Sequence, residues 1–350
     1  MYIIRFFWEG GLILEQAIVD IFNSSHAERA AAKYGIKGKD LTFIGGFQNF
    51  VYEYLHNDRP CILRLTPSTH RSAQTVQAEL EWIFYLADHG ISASRPIVSK
   101  RGNLTEVVGT DTELFFTAAA FEKAPGHKAS YPECLNDVGL YEKLGQLTGK
   151  MHALSQSYRP RNESVKRQEW SGNYYLNQID ILPASHTLVR QQYLELAQAI
   201  HRLPKESNTY GLIHGDMGVG NYTVDNRGAI TLYDFDEAQY SWYVEDIAVQ
   251  LYYLVYVYGG EEGYKLREEQ AHRFMKSFLK GYRLEKELDE SMLKQIPLFL
   301  RLRELIVYIG AFRNFEGDET FSGSDNQWFK DWIAESRVRL ESGTPIVDIW

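Results

Sequence analysis

The chain has 350 residues, of which 44% are hydrophobic and 24% are charged, as in an ordinary globular protein. This length suits two lobes of roughly 100 to 200 residues better than a single core. The formal net charge of −9 and the lack of a basic cluster argue against a nucleic-acid partner, and the sequence has no apolar run approaching the ~18 residues that cross a bilayer.

The cellular compartment is predicted from the N-terminus and the cysteines. The apolar patches in residues 3–14 are interrupted by Arg5 and Glu9, and no small-residue cleavage site follows, so we expect no signal peptide. Cys61 and Cys134 form neither a metal-binding pair nor a disulfide framework. We therefore expect a cytoplasmic protein without a membrane partner.

Residues 41–55 predict a β-hairpin, because two alternating runs flank the pair Gly45-Gly46. Glycines let the backbone approach a phosphate group closely, and the N–H groups of such a loop can donate to its oxygens. A glycine pair alone is more typical of a plain turn. The hairpin becomes a candidate phosphate loop only because of the motif found further along the chain.

Residues 61–65 have strand character, with one cation, Arg64, in an otherwise apolar run. Residues 73–89 carry apolar side chains at helical spacing and predict a helix that packs on the sheet. A carboxylate on this helix could hold Arg64 in place, and Glu79 is favoured over Glu81. The alternative is that Arg64 lies on an edge strand and extends its charged head into solvent.

A strand over residues 113–121 ends at a Pro-Gly breaker in residues 122–126, where we place a hinge. The predicted domains are residues 1–123, with an N-terminal helix, and residues 124–350. After the hinge, an apolar stripe over residues 138–154 has the period of a helix. The predicted fold class is α+β, with a small antiparallel sheet lobe followed by a larger, mostly helical lobe.

The most informative stretch is residues 214–236. It reads His-Gly-Asp-Met-Gly-Val-Gly-Asn, and Asp-Phe-Asp begins thirteen residues after that asparagine. In phosphoryl transfer, one Asp orients the attacking hydroxyl, an Asn reaches a magnesium ion, and a second Asp joins the metal to the phosphates. Asp216, Asn221 and Asp234 have the right types and spacing for these roles. Two short strands joined by a turn at residues 225–228 would bring the last two together.

With Gly215 where protein kinases carry an arginine, this pattern resembles the aminoglycoside phosphotransferase and choline kinase superfamily, over most of residues 41–320. The resemblance implies a bilobal, protein-kinase-like fold that uses ATP and Mg²⁺. It implies that Arg64 replaces a lysine that meets the α- and β-phosphates and pairs with a helix glutamate, here Glu79. It also implies that the backbone of three hinge residues meets the adenine edge: Phe121, Glu122 and Lys123.

Five further residues are expected to support the site. The resemblance places Asp246 where a family aspartate braces the catalytic loop, although a carboxylate at a helix N-terminus also has a purely local explanation. His214 and His152 are expected to hold the structure by hydrogen bonds rather than to move a proton. Asp236 and Glu237 lie beside Asp234 and are candidates for supporting the metal site or contacting the acceptor.

The sequence does not identify the acceptor. Aromatic residues could cage an alkylammonium group or stack on a sugar, although aromatics at helical spacing are more typical of a core; they lie in residues 170–175, 240–243 and 252–258. Three arginines could bind an anionic group of the acceptor or, as we favour, pair with local acids: Arg301, Arg303 and Arg313. Acidic residues at 261–262 and 315–319 are candidate walls of an acceptor site or solvated loops.

The predicted function is therefore an ATP- and Mg-dependent kinase that phosphorylates a hydroxyl of a small molecule, such as an aminoglycoside, an amino alcohol, homoserine or a sugar. A bacterial Ser/Thr protein kinase of the same fold is the alternative. A non-catalytic module is disfavoured, because Asp216, Asn221 and Asp234 are all present. The sequence leaves the oligomeric state and the choice between ATP and GTP open.

Overall fold

A computed structural model of the protein describes residues 16–46, 48–260 and 262–350. The expectation for residues 3–14 lies outside this part of the chain. Antiparallel strands dominate the first third of the described chain and helices dominate the rest, which confirms the predicted fold class. Among the described residues, none of the helices combines the length and apolarity required to cross a membrane.

The elements of the described chain are as follows. The α-helices are α1 (Gln16–Ile21), α2 (Ser24–Tyr34), α3 (Ala73–Asp88), α4 (Val138–Ser157), α5 (Thr187–His201), α6 (Tyr243–Val255), α7 (Gly263–Tyr282), α8 (Glu290–Leu293), α9 (Ile296–Asn314) and α10 (Gln327–Ser342). The strands are β1 (Thr42–Gly45), β2 (Phe50–His56), β3 (Arg59–Pro67), β4 (Pro96–Ile97), β5 (Thr105–Gly109), β6 (Phe115–Glu122), β7 (His127–Lys128), β8 (Tyr210–Ile213), β9 (Tyr222–Val224), β10 (Ile230–Leu232) and β11 (Gln239–Trp242).

The first sheet has the order β1-β2-β3-β6-β4, with β5 also paired to β6, and its neighbouring strands are antiparallel. Because side chains alternate across a strand, Leu63 and Leu65 of β3 enter the core under α2, whereas Ile62 and Arg64 face the opposite side. Arg64 is 7% exposed and β3 lies between β2 and β6. The alternative of a solvent-seeking arginine on an edge strand is therefore wrong.

Helix α3 crosses from the sheet to the helical region. It begins after Ser72, whose hydroxyl accepts a hydrogen bond from the Thr75 N–H at 3.1 Å, the usual way to satisfy a free amide in a first turn. Its buried face includes Leu80 and Leu86, which join the large core of the helical part of the chain. The helix therefore fixes the position of its carboxylates relative to both regions.

Strand β6 ends at Glu122, and the chain then passes Gly126, whose φ of +93° suits glycine, before β7 pairs with β9. We propose that the hinge lies in this connection, so that residues 1–123 and 124–350 form the two lobes. The small sheet β10-β9-β7 attaches the connection to the helical region.

Helices α4 and α7 pack unusually closely because glycines lie at their contact. A Cβ atom on Gly145 would lie 2.0 Å from the Phe278 carbonyl oxygen, and one on Gly281 would lie 1.8 Å from that of Glu142. This close approach lets the Tyr282 hydroxyl of α7 reach Nδ1 of His152 on α4, at 3.0 Å. The packing of two helices thereby sets the position of a buried histidine.

We expect Gly145→Ala to lower the free energy of unfolding by about 3 kcal/mol, because the new methyl group meets a backbone carbonyl that cannot move without separating the helices. Urea unfolding would measure the change. Gly139→Ala is the matched control in the same helix, since its nearest atom would lie at 3.4 Å; this variant should be neutral or stabilised by up to about 1 kcal/mol. Equal effects of the two variants would contradict the packing argument.

Candidate active site

A cleft of about 1140 Å³ lies between the first sheet and the helical region. Typical small-molecule sites occupy roughly 300 to 1000 Å³, so this cleft has room for two ligands side by side. One wall carries the β1–β2 hairpin and β3. The other carries the loop after β8, the β9–β10 hairpin, and residues of α6 and α9.

The loop after β8 places Asp216 and Asn221 in contact at the cleft wall. The Asn221 Nδ2 donates to the Asp216 carboxylate oxygen Oδ2 at 2.9 Å and to the Asp216 carbonyl oxygen at 2.8 Å. The other amide atom, Asn221 Oδ1, is buried and has no hydrogen-bond partner among the described residues. A buried acceptor without a donor is costly, and a water molecule or an ion at this place in the cleft would satisfy it.

The predicted hairpin of β9 and β10 is present and brings Asp234 beside Asn221. The Tyr233 N–H donates to the Asn221 carbonyl oxygen at 3.1 Å, and both Asn221 and Asp234 line the cleft. Asp234 has a φ of +62°, a left-handed conformation that is uncommon for a residue other than glycine. Strained backbone of this kind is often found where a side chain must point at a ligand.

The donors at this place fit a hard divalent cation. Burial, and then the charge of Asp236, raise the pKa of Asp234 to about 7, although Arg64 opposes the shift. The negative charge on Asp234 is thus poorly compensated by the protein. Carboxylate and amide oxygens are the ligands that Mg²⁺ and Ca²⁺ prefer, and Asp234 and Asn221 Oδ1 offer one of each.

Asp216 has cationic and phenolic neighbours that the sequence analysis did not assign to it. Its Oδ1 accepts hydrogen bonds from the Arg303 guanidinium and from the Tyr253 hydroxyl, the latter at 3.3 Å. Burial raises the pKa of Asp216 to about 6, and the Arg303 charge limits that rise. We call these three side chains, Asp216, Tyr253 and Arg303, the Asp216 cluster.

Asp246, in the first turn of α6, holds the loop that leads into Asp216. Its carboxylate accepts from the His214 N–H at 3.0 Å, from the Gly215 N–H at 2.8 Å and from His152 Nε2 at 3.1 Å. Burial alone would raise the pKa of Asp246, but the hydrogen bond and charge of His152 outweigh it, so the pKa lies below its usual value. His214 also packs on the Phe235 ring at 4.2 Å.

Across the cleft, Arg64 and Glu79 form a two-point ion pair. Arg64 NH1 and NH2 donate to the two Glu79 carboxylate oxygens at 2.9 and 2.7 Å, and both side chains are buried. Glu81 instead accepts from Gln77 at 3.0 Å. The structure therefore selects Glu79 as the partner of Arg64, and Arg64 lines the cleft.

The glycine loop caps the sheet side of the cleft. Gly45 and Gly46 both line it and have positive φ values of +107° and +148°. A Cβ atom on Gly46 would lie 1.8 Å from the Asn49 carbonyl oxygen, so only glycine fits this tight turn. Phe47, at the tip of the loop, lies outside the described residues.

Comparison with known proteins identifies the family. The sequence profile of the phosphotransferase enzyme family (APH) matches residues 40–288 of the chain. The chain belongs to this family. The recognition of this family from the sequence is thus confirmed, as is the prediction that the protein is a kinase.

Two amicoumacin kinases are similar to this family member over nearly its whole length. The amicoumacin kinase of Bacillus subtilis is 36% identical over 335 residues, which is 93% of this chain and 96% of the relative. The structure of the amicoumacin kinase hAmiN in complex with AMP-PNP, Ca²⁺ and Ami is 32% identical, with a TM-score of 0.86 over 96% of this chain and 98% of that chain. A microcompartment-associated aminopropanol kinase shares the fold, with a TM-score of 0.70 and 19% identity over 91% of this chain and 97% of its own. The chain is accordingly a small-molecule kinase.

Not every hinge residue expected to meet adenine in this phosphotransferase lies in the cleft. Of the three, Phe121 and Lys123 line it, whereas Glu122 is exposed and lies outside the lining formed by the described residues. The Glu122 N–H donates to the Arg95 carbonyl at 2.9 Å and the Lys123 N–H to that of Pro60 at 3.1 Å. Those two amides are therefore engaged within the protein and are not free to bind an adenine.

Asp236 and Glu237 belong to a buried charge network that was only partly foreseen. Asp236 lies 2.6 Å from His70 Nε2, and Glu237 accepts from Arg71 at 2.6 Å and from Asn173 at 2.8 Å. The ligand atoms of His70, Asp236 and Glu237 lie within 4.8 Å of one another, but the adjacent Arg71 guanidinium neutralises both acids. The partners are more than 60 residues away in sequence, so spacing gave no signal.

The aromatic residues divide between the core and the cleft. Trp170, Trp242 and Tyr252 belong to the large core and Tyr243 is also buried, as favoured from the sequence. The tyrosines that line the cleft are Tyr175, Tyr253 and Tyr256, along with Tyr233. The first three stand on the side of α6 and α9, where they border the helix residues Ile306, Val307 and Gly310.

The three arginines have different environments. Arg301 donates to Gln192 at 3.1 Å, and Arg313 lies over the Tyr174 ring at 5.4 Å. Arg303 does pair with a local acid, as favoured, but that acid is Asp216. Of the suggested acidic walls, residues 262 and 315–319 lie outside the described cleft lining, and Glu261 is outside the described residues.

We expect Asp246→Ala to lower the free energy of unfolding by about 3 kcal/mol or more, because the buried amides of His214 and Gly215 lose their acceptor. The contribution of Asp246 should be present above its ordinary pKa of 3.8 and lost as the pH falls through its lower folded-state pKa. Denaturation of both proteins at pH 7 and near pH 3 would show whether the difference shrinks in acid. Asp331→Ala, at an exposed site, is the control and should change stability by less than about 0.5 kcal/mol.

Glu79→Gln should raise the KM for ATP about tenfold, because Arg64 loses the charged partner that orients it, and one charge-assisted contact is worth roughly 1.5 kcal/mol or more. Steady-state kinetics with varied ATP would measure the change. Glu81→Gln is the control two residues away and should leave the KM within about twofold. A larger effect of Glu81→Gln than of Glu79→Gln would refute the pairing.

Proposed function

We propose that this kinase transfers the γ-phosphoryl group of ATP, with Mg²⁺, to a hydroxyl group of amicoumacin or a closely similar small molecule. One observation carries the proposal. Asp216, Asn221 and Asp234 meet on one wall of a large cleft whose opposite wall presents the Arg64–Glu79 pair and the glycine loop. The long similarity to amicoumacin kinases supports the choice of acceptor.

The sheet side of the cleft holds the nucleotide in this proposal. Arg64 is the cation for the phosphates, since its guanidinium is fixed by Glu79 and stays charged at any physiological pH. The backbone of Gly45 and Gly46 approaches the phosphates, and Phe121 and Lys123 lie beside the adenine ring. Arg64 carries the same charge as the lysine of related kinases and adds a planar donor group.

Asn221 and Asp234 would hold the divalent cation, which when bound would neutralise charge on the phosphates. This assignment is supported by the unpartnered Asn221 Oδ1 and by the weakly compensated Asp234 carboxylate. The Asn221 Nδ2 keeps its hydrogen bond to Asp216, which holds the Asp216 carboxylate next to the proposed metal ligands.

Asp216 orients the acceptor hydroxyl for in-line attack. A bond forms between the acceptor oxygen and the γ-phosphorus, the bond to the bridging oxygen breaks with its electron pair leaving on ADP, and the hydroxyl proton passes to Asp216. Such a base contributes about 10² to 10⁴-fold to the rate. Since Asp216 has a pKa of about 6, it is mainly ionised and competent at neutral pH.

The acceptor lies against α6 and α9 in this proposal. The tyrosines and the apolar residues Ile306 and Val307 offer a surface for an acceptor with an aromatic or apolar part. Gly310 leaves space for Tyr175, whose ring would lie 3.3 Å from a Cβ atom at that position.

We propose a cytoplasmic location, because the described cysteines, Cys61 and Cys134, are buried and unpaired.

We expect Asp216→Asn to lower kcat by about 10² to 10⁴-fold while the Kd for Mg-ATP stays nearly unchanged, because the base acts in transfer and not in nucleotide binding. Asp234→Ala should weaken metal-dependent nucleotide binding as well, since it removes a proposed metal ligand. Calorimetric titration and turnover assays on both variants would separate the two effects. Unchanged turnover of Asp216→Asn would refute its role.

The acceptor is tested with γ-labelled ATP, Mg²⁺ and, in parallel, amicoumacin, an amino alcohol, an aminoglycoside and a protein substrate. Label in amicoumacin that is absent with Asp216→Asn would support the proposal. Label only in another small molecule would overturn the acceptor but keep the reaction. Label only in protein would favour the protein-kinase alternative.

A further inference from the structure

Within the protein, the Asp216 carboxylate accepts three hydrogen bonds from side chains, and two of them fill Oδ1. A carboxylate offers about four acceptor positions, two on each oxygen. Oδ2 is engaged by Asn221, which stands on the side of the proposed metal ligands. Oδ1, on the side of α6 and α9, already receives both Arg303 and Tyr253. An acceptor hydroxyl that approaches from the tyrosine side therefore meets an occupied oxygen.

Arg303 is joined to Asp216 through a single nitrogen, as Arg71 is to Glu237, whereas two other buried arginines each bind a carboxylate through two. Arg64 binds Glu79 through two nitrogens, and Arg339 binds Glu304 through Nε and NH2, at 3.0 and 2.7 Å. Arg303 reaches Asp216 through NH2 alone. Its NH1 makes a long contact of 3.4 Å to the Gly215 carbonyl, and its buried Nε has no partner in the described part of the chain.

The pair of Asp216 and Arg303 lies at the cleft and not in the core. The Asp216 and Arg303 side chains both line the cleft, and the Asp216 side chain is 19% exposed to it. The guanidinium lies over the Tyr253 ring, 5.0 Å from its centroid, and its NH2 also donates to the Tyr253 hydroxyl. Glu237, another cleft acid, is near enough for its charge to act on Arg303.

We propose that the Asp216 cluster blocks the catalytic base until an acceptor displaces Arg303 from Oδ1, and so keeps the empty cleft from hydrolysing ATP. Arg303 is in this sense a positioning residue that couples ATP consumption to the presence of the acceptor. The inference rests on the proposed function, because it takes Asp216 as the base.

The reaction that the block suppresses is the attack of water on ATP. The water oxygen would bond to the γ-phosphorus, the bond to the bridging oxygen would break, ADP would leave with that electron pair, and a water proton would pass to Asp216. With Oδ1 engaged by a cation and a phenol, the carboxylate is a poor acceptor for that proton. An acceptor that packs against Tyr175, Tyr253 and Tyr256 takes the place of the Arg303 guanidinium. Its hydroxyl group then reaches Asp216 Oδ1.

The test measures ADP release from Mg-ATP without any acceptor. Arg303→Gln should raise this hydrolysis about tenfold, the factor expected when one charge-assisted hydrogen bond to the base is removed. Arg303→Lys should stay near the wild-type rate, since a single nitrogen makes the native contact. Arg301→Gln is the matched control on the same helix; Arg301 faces Gln192 and lies outside the cleft lining of the described residues, so its hydrolysis should not change.

Two further variants keep the test decisive if Arg303→Gln folds poorly. Tyr253→Phe removes the other donor to Oδ1 and should also raise hydrolysis, by about threefold for a weaker, uncharged donor. The double variant Asp216→Asn/Arg303→Gln should lose the gain, because the gain depends on the freed base. With acceptor present, Arg303→Gln should release more ADP than phosphorylated product, whereas the wild type should release the two in equal amounts.

Several outcomes would overturn the block. One is an ATP hydrolysis rate of Arg303→Gln that equals or falls below that of the wild type. The others are a rise in hydrolysis that persists in the double variant, or one that is equally large in Arg303→Lys. The assay contains no acceptor, so it is independent of whether amicoumacin is the substrate. Faster hydrolysis by Arg303→Gln, with no transfer to amicoumacin by the wild type, would leave the block standing and refute the proposed acceptor.

Discussion

The geometry of the site depends on one buried carboxylate, Asp246. It binds two consecutive backbone amides of the loop that leads into Asp216, and the ring of His152. His152 is itself fixed by Tyr282, and this contact exists only because glycines let α4 and α7 approach closely. The position of the loop before Asp216 is therefore tied to helix packing at some distance from the cleft, through the hydrogen-bonded residues Tyr282, His152 and Asp246.

The charges around the cleft are arranged in two different ways. Arg64 with Glu79, and Arg71 with Asp236 and Glu237, are ion pairs in which each charge has a partner within the protein. Asp234 and the amide oxygen of Asn221 lack such compensation. An uncompensated buried charge is costly, so a cation bound beside Asp234 would relieve part of this cost.

The sequence predicted the parts of the site that depend on local patterns. Asp216, Asn221 and Asp234 lie in one short segment whose hairpin follows from turn residues, and Arg64 with Glu79 lies on a strand and helix that adjoin in the chain. Contacts between distant segments could not be predicted in this way. The approach of Arg303 and Tyr253 to Asp216 depends on how α6 and α9 pack, and neither residue differs in type or spacing from neighbours such as Arg301 or Tyr252. The engagement of the Glu122 amide by the Arg95 carbonyl is likewise a backbone contact that no side-chain pattern predicts.

The residues assigned to the acceptor lie partly in a different segment of the chain from those assigned to ATP, so the two sets can change separately. The family profile ends at residue 288, whereas α9 begins at Ile296, so much of the surface assigned to the acceptor comes from a helix beyond the segment that defines the family. Substitutions at Ile306, Val307 or Gly310 can reshape what the cleft admits while leaving the groups assigned to ATP untouched. Arg303 is the exception on that helix, because it reaches back to Asp216. In the proposed assignment, new acceptor preferences arise by exchanging one face of α9 while Arg303 is kept.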